Sequence, residues 1–117
     1  MKKLFIIILA LIAPFSLAFA AEKGPKELKV MSYNIRLGVG KDGTNSWQYR
    51  APATIAMLEA QKPDVFGVQE AYGFQIAFIE EYCKNFKNVG VGREDGKKKG
   101  EHMSIFWNKK TVRLLKW

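Results

Sequence analysis

The stretch Pro63-Asp64-Val65-Phe66-Gly67-Val68-Gln69-Glu70 constrains this chain more than any other. A Pro-Asp turn signal opens it, Val65, Phe66 and Val68 follow, and the run is too short for an ordinary helix, so it reads as a buried strand. It ends in a carboxylate. In open α/β sheets the carboxyl ends of the strands face the crevice in which ligands bind, and a carboxylate there is an oxygen ligand suited to a hard cation such as Mg2+. The competing reading of Glu70 is a solvated glutamate that leads into a loop.

Upstream, Met1-Lys2-Lys3 precedes an uncharged run from Leu4 to Ala20 that closes on Ala18-Phe19-Ala20. A positive start, an apolar middle and a small-residue cleavage site describe a secretory signal peptide over residues 1–20, cut after Ala20. The expected address is therefore the periplasm or the exterior. A retained membrane anchor is the rival reading, because the run approaches the length of a bilayer span. Pro14 and Ser16 interrupt that run, so no stable anchor is expected after cleavage.

Removing twenty residues from 117 leaves 97, enough for one small domain. With Lys2 and Lys3 gone, the formal net charge falls from +8 to +6. Such an excess favours anionic partners: nucleic acid, phospholipid headgroups or other phosphates. The densest basic cluster, Arg93 with Lys97, Lys98 and Lys99, lies in a Gly-rich stretch and reads as a solvated loop. Cys83 is the one cysteine, which excludes an intrachain disulfide; it fits the apolar face of a helix as a small hydrophobe.

Residues 21–27 read as a flexible lead-in and residues 28–36 as the first strand. Val30, Ser32 and Asn34 share one face of it and Met31, Tyr33 and Ile35 the other, as in an interior strand of a covered sheet. Gly38 and Gly40 then open a polar loop able to admit a phosphate against backbone N–H groups, although the spacing matches neither the P-loop nor the dinucleotide fingerprint. Asn45 or Ser46 is the expected cap of a helix reaching about Gln61, with Ala51, Ile55, Leu58 and Met57 or Ala60 turned inward. Pro52 is expected to kink that helix and to set Trp47 to Arg50 apart as a first turn.

After the 63–70 strand, a second amphipathic helix over 73–84 places Ile76, Ile79 and Cys83 inward, with Phe78 and Tyr82 beside them. Strands are expected over 88–92, 101–108 and 111–117, separated by the charged loop 93–100 and a tight turn at Asn108-Lys109-Lys110. The fold class is thus α/β in the order β-α-β-α-β-β-β, a mixed sheet with helices over one face. Trp117 falls inside an expected strand, so residues 28–117 are read as the front part of a larger domain.

Met31-Ser32-Tyr33-Asn34-Ile35-Arg36, followed by Val68-Gln69-Glu70 with Glu70 36 positions after Asn34, resembles the opening of the endonuclease/exonuclease/phosphatase superfamily. The resemblance runs over essentially all of residues 28–117. It is nearest to the secreted, metal-dependent hydrolase branch, in which a Trp47-x-x-Arg50 turn and a Gly100-Glu101 strand start recur. It implies a four-layer α/β sandwich, of which this chain would form the N-terminal half, and phosphoester cleavage with a divalent metal, Mg2+ or Mn2+. Carried over by position, Glu70 would be the metal-binding and catalytic carboxylate, and Asn34 would orient the phosphate or a water beside it.

An asparagine can donate to a phosphate oxygen without adding negative charge; the other reading of Asn34 is a strand-end residue capping the glycine loop. Arg50 suits bidentate contact with a substrate phosphate and equally suits the surface of a helix. Glu101 is a candidate to support the metal site or bind substrate. His102, the one histidine, departs from the family pattern, whose general base follows an Asp near the carboxyl end of the domain. It follows Glu101 in an early strand and reads as a strand residue at the substrate mouth.

The family's Asp-x-Asn motif and late Asp-His pair do not occur in these 117 residues. A missing base forfeits typically ~10²–10⁴-fold in rate, so residues 28–117 alone are expected to be inactive and the activity to belong to a longer parent. Nucleic acids, phospholipid headgroups, inositol phosphates and sugar phosphates all suit such a metal centre. The sequence fixes neither the substrate nor the oligomeric state. Two rivals remain: an exported basic domain that holds nucleic acid or anionic lipid without chemistry, marked by strong salt dependence, and a relic without a stable fold, marked by noncooperative unfolding.

Overall fold

The computed structural model describes residues 27–117. The signal peptide expected over 1–20, and the lead-in up to residue 26, lie outside the described residues. The elements are β1 (Val30–Asn34), a 3-10 turn (Gly43–Asn45), α1 (Trp47–Gln61), β2 (Val65–Gln69), β3 (Ala71–Tyr72), α2 (Gly73–Tyr82), β4 (Phe86–Val89), β5 (Glu101–His102) and β6 (Ile105–Asn108). β1, β2, β6 and β4 make one mixed sheet in that order. β1 and β2 run parallel, joined through α1, while β6 is antiparallel to both β2 and β4. β3 and β5 form a separate two-stranded antiparallel sheet. The chain is therefore an α/β unit with a mixed sheet, as the order of apolar runs predicts.

Strand alternation sorts the side chains by face. On one face Phe66, Val68 and Phe106 join Ile35 and Ala71 and meet Trp47, Ala51 and Leu58 of α1 and Ile76, Ile79 and Cys83 from α2 and its end. Phe66 stacks on Phe106 with ring centroids 4.7 Å apart and takes the edge of Phe86 at 5.1 Å. Burial of aromatic and aliphatic side chains on this scale, roughly 1.5–3 kcal/mol each, pins both helices to one side of the sheet. The opposite face is open, with Val30 65% and Ile105 51% exposed. Among the described residues no helix is long and apolar enough to cross a membrane.

Several boundaries differ from the sequence expectation. α1 continues through Pro52, and Trp47 to Arg50 is its first turn and not a separate one. The donor that proline lacks would have met the carbonyl of Gln48, an exposed residue on which water can substitute. β4 is Phe86–Val89 and not 88–92, because its register is set by β6, from Phe86 opposite Asn108 to Val89 opposite Ile105. Gly90 follows at the point where a Cβ would collide with the Ser104 side chain.

The expected 101–108 strand is two strands. β5 pairs with β3, β6 pairs with β2 and β4, and the chain changes sheets at Met103-Ser104, where the Ser104 carbonyl still accepts from Val68 N at 2.9 Å. The short β3 has no counterpart in the sequence reading. Residues 111–117 form no strand among the described residues. Thr111 N and Val112 N instead donate to the Asn108 carbonyl, and Thr111 Oγ1 donates to Asp64 Oδ1 at 2.6 Å. Strand propensity cannot supply the missing ladder partner.

Candidate active site

The parallel register of β1 and β2 pairs Asn34 with Gln69, so Asn34 closes one strand and Glu70 stands one residue beyond the other. Ile35 N donates to the Gln69 carbonyl at 3.1 Å and extends the ladder by one bond. Glu70 then takes a left-handed backbone, φ 59°, before β3 begins. That turn carries its carboxylate back over β1. Asn34 Nδ2 donates to Glu70 Oε1 at 2.9 Å, and Leu37 N donates to Oε2 at 3.3 Å. Arg36 N donates to Asn34 Oδ1 at 2.9 Å, which leaves the amide one orientation.

These contacts govern the charge. The Asn34 amide, and after it the Leu37 backbone N–H and the nearby Arg36 charge, hold the Glu70 carboxyl below its ordinary range against a desolvation that pulls the other way. Glu70 is consequently an ionised, aimed carboxylate at the carboxyl end of a parallel pair of strands. Arg36 itself has φ 58° and forks onto Asp42, Nη2 to Oδ1 at 2.8 Å and Nε to Oδ2 at 3.2 Å. The pairing raises the arginine and lowers the aspartate from their usual values.

The other sequence candidates sit around this pair without touching it. Arg50, on the first turn of α1, donates from Nε to Asn45 O at 2.6 Å, from Nη1 to Ile35 O at 2.6 Å and from Nη2 to Arg36 O at 3.4 Å. Its guanidinium also lies 5.6 Å from the centre of the Trp47 ring. All three nitrogens are thus engaged in shaping the loop after β1. Glu101 faces Tyr72 across the β3–β5 pair and meets Arg93 Nη1 at 3.4 Å.

His102 is buried opposite Ala71, with Nε2 3.2 Å from Lys98 O. Among the described residues neither Glu101 nor His102 hydrogen-bonds to Asn34 or Glu70, but β3 starts directly after Glu70 and brings both alongside the site. Sequence reasoning missed Leu37, whose role is carried by its backbone N–H and leaves no mark on residue type. It also missed Arg36 and Gln75. An Asp six positions after Arg36, across a glycine-rich loop, was the available signal for the first of these.

Glu70 is the oxygen ligand at this point, since Asn34 turns its nitrogen toward it and its amide oxygen accepts from Arg36 N. Among the described residues no three His, Cys, Asp or Glu side chains cluster as a metal-binding group. A single carboxylate is a sparse ligand set of the kind Mg2+ accepts, since that ion commonly binds through one or two carboxylates and keeps waters or takes substrate phosphates.

A parallel β-α-β unit bearing an ionised strand-end glutamate locked to a strand-end asparagine defines an α/β protein with a polar site at its strand ends. The chain belongs to the endonuclease/exonuclease/phosphatase superfamily. A mannosyl-6-phosphatase of Bacteroides thetaiotaomicron VPI-5482 is 37% identical with a TM-score of 0.68, the match covering 72% of this chain and 32% of that one. An endonuclease/exonuclease/phosphatase family protein from Bacteroides thetaiotaomicron is 38% identical with a TM-score of 0.66, over 69% of this chain and 31% of the other. A third, from Bacteroides vulgatus, is 28% identical with a TM-score of 0.69, over 76% and 33%. The chain spans about a third of the length of each of these structures. No protein-family model and no curated protein matches it.

Proposed function

We propose that residues 28–117 supply the N-terminal part of an exported, metal-dependent phosphoester hydrolase, with Glu70 as the metal-holding carboxylate and Asn34 as its orienting partner. The observation that carries this reading is the Asn34–Glu70 pair itself, 2.9 Å apart at the ends of adjacent parallel strands. Bound Mg2+ or Mn2+ would supply Lewis acidity toward a phosphoryl oxygen. The chain's own contribution is to keep Glu70 ionised through two donated hydrogen bonds and to fix where its oxygens point. Preorganisation of this kind is the larger part of catalysis in phosphoryl chemistry.

The substrate class favoured first is a sugar phosphate, supported by the name of the 37%-identical neighbour, a mannosyl-6-phosphatase. Nucleic acid and phospholipid headgroups are the other phosphoesters to be offered. Hydrolysis by the intact protein of a hexose 6-phosphate, read as free phosphate, and of a nucleotide diester and a phospholipid, read as the released alcohol or monoester, each with Mn2+ and with a chelator, tests the reading. Glu70→Gln is expected to slow the preferred reaction by about 10²–10³-fold, the scale for losing one charge-stabilising group, while the fold is retained. Equal rates in wild type and Glu70→Gln, or rates indifferent to the chelator, would overturn it.

A further inference from the structure

We propose that Gln75 is a positioning residue of this site: by holding the backbone on both sides of Leu37, it aims the Leu37 amide at Glu70 and fixes the carboxylate. The inference rests on the reading of Glu70 as the working carboxylate.

Gln75 lies in the first turn of α2 and is 0% exposed. Burying a primary amide is costly unless its groups are hydrogen-bonded, and this one is used in two directions. Oε1 accepts from Tyr72 N at 2.9 Å, which satisfies a backbone donor at the start of the helix. A cap needs nothing more. Yet the same oxygen accepts from Gly38 N at 2.9 Å, 37 positions back in the chain, and Nε2 donates to Arg36 O at 3.0 Å, 39 positions back.

Arg36 and Gly38 flank Leu37. One side chain therefore grips the residue before and the residue after the amide that donates to Glu70 Oε2. The grip is needed because the loop does not hold itself. Residues 35–40 have no strand or helix of their own, and Arg36 is kept at φ 58°, a conformation a non-glycine residue adopts only when its surroundings impose it. Close packing supplies the rest: a Cβ on Gly38 would collide with the Phe74 ring and come within 2.7 Å of Gln75 Cδ. The loop is pressed onto the first turn of α2, and the cap of that helix doubles as the clamp of the site.

The test is amide hydrogen exchange on the full chain, with β6 amides as the gauge of folding, together with Mn2+ affinity from water-proton relaxation. In Gln75→Ala, exchange at Leu37 is expected to accelerate about tenfold, the scale of one lost hydrogen bond in a local opening, with β6 unchanged. Mn2+ affinity is expected to fall about 10- to 100-fold, as for other groups that orient a ligand. Gln75→Glu keeps an acceptor for Tyr72 N and Gly38 N but sets a carboxylate oxygen against Arg36 O, so the donation there becomes a repulsion. It is expected to speed Leu37 exchange as well, and it serves if Gln75→Ala does not fold. Unchanged Leu37 exchange in a folded variant overturns the proposal, as does faster exchange with undiminished Mn2+ affinity. If the wild-type chain takes up no Mn2+, the metal reading of Glu70 fails, and Leu37 exchange still decides the role of Gln75.

Discussion

Asn34 Nδ2 donates to Glu70 Oε1 across 2.9 Å, joining the last residue of β1 to the first residue past β2. Because this bond is the leading cause of the lowered Glu70 carboxyl, Asn34→Ala is expected to move that carboxyl back toward its ordinary range. Asn34→Asp should move it further up, since two carboxylates at one strand end resist joint ionisation. A 13C-detected titration of the Glu70 side chain measures both. A midpoint that ignores either change would separate Asn34 from the charge of Glu70.

Arg50 organises the loop after β1 through backbone carbonyls, so its loss should be felt without any substrate. Arg50→Lys cannot reproduce the fork that reaches Asn45, Ile35 and Arg36 at once. A destabilisation of about 1–3 kcal/mol is expected, in the range for hydrogen bonds from a charged donor. Urea unfolding of the two proteins measures it, and equal midpoints would mean that the loop has other support.

Ser104 is buried, and among the described residues its Oγ has no hydrogen-bond partner. Removing an unsatisfied buried hydroxyl relieves its desolvation, so Ser104→Ala is expected to leave stability unchanged or to raise it by up to about 1 kcal/mol. The neighbouring Gly90→Ala should do the opposite, because the added Cβ would collide with Ser104; overpacking of this kind costs about 1–3 kcal/mol. Chemical denaturation of both variants checks the pair of signs.

Asp64 joins three parts of the chain: Oδ2 accepts from Lys29 N at 2.8 Å and Oδ1 from Thr111 Oγ1 at 2.6 Å. The Thr111 hydroxyl first and the Lys29 amide second hold its carboxyl below the usual value. A depressed folded-state value means that its stabilising contribution is present above the unfolded-state value near pH 4 and is lost as pH falls through the lower folded-state value. Thr111→Val should therefore flatten the stability profile below about pH 4 and lower the plateau above it. Thermal melts from pH 2 to pH 6 would reveal it, and parallel profiles would contradict it.

The signal peptide expected over residues 1–20 lies outside the described residues, and the expected cleavage can be measured directly. Mass spectrometry of the exported protein is expected to give a chain beginning at Ala21. Recovery of the full N-terminus in a membrane fraction would favour the anchor instead.

The parts of this fold that could be read from sequence are those written in local pattern. The apolar run ending in Glu70, the alternation in residues 30–35 and the helical stripe of Ala51 and Leu58 fixed β2, β1 and α1 because burial acts on neighbours along the chain. The placing of Asn34 beside Glu70 came from the family resemblance, and the parallel register of β1 and β2 brings the two together. Residues 111–117 misled because a strand requires a neighbouring edge, which residue type does not report. Arg50 and Gln75 were opaque for a related reason: their partners are backbone carbonyls and amides of a loop 14 to 39 positions away, and a backbone group carries no sequence signature.

Glu70 holds a left-handed backbone, φ 59°, that glycine or asparagine would occupy with less strain. The geometry of the turn and the chemistry of the carboxylate thus ask for different residues at one position. In a lineage released from the need for a charged oxygen here, drift toward glycine at position 70 would relieve about 1 kcal/mol of backbone strain and give up the hydrogen bonds from Asn34 and Leu37. Persistence of glutamate at this turn among sister sequences would therefore be a historical record of use.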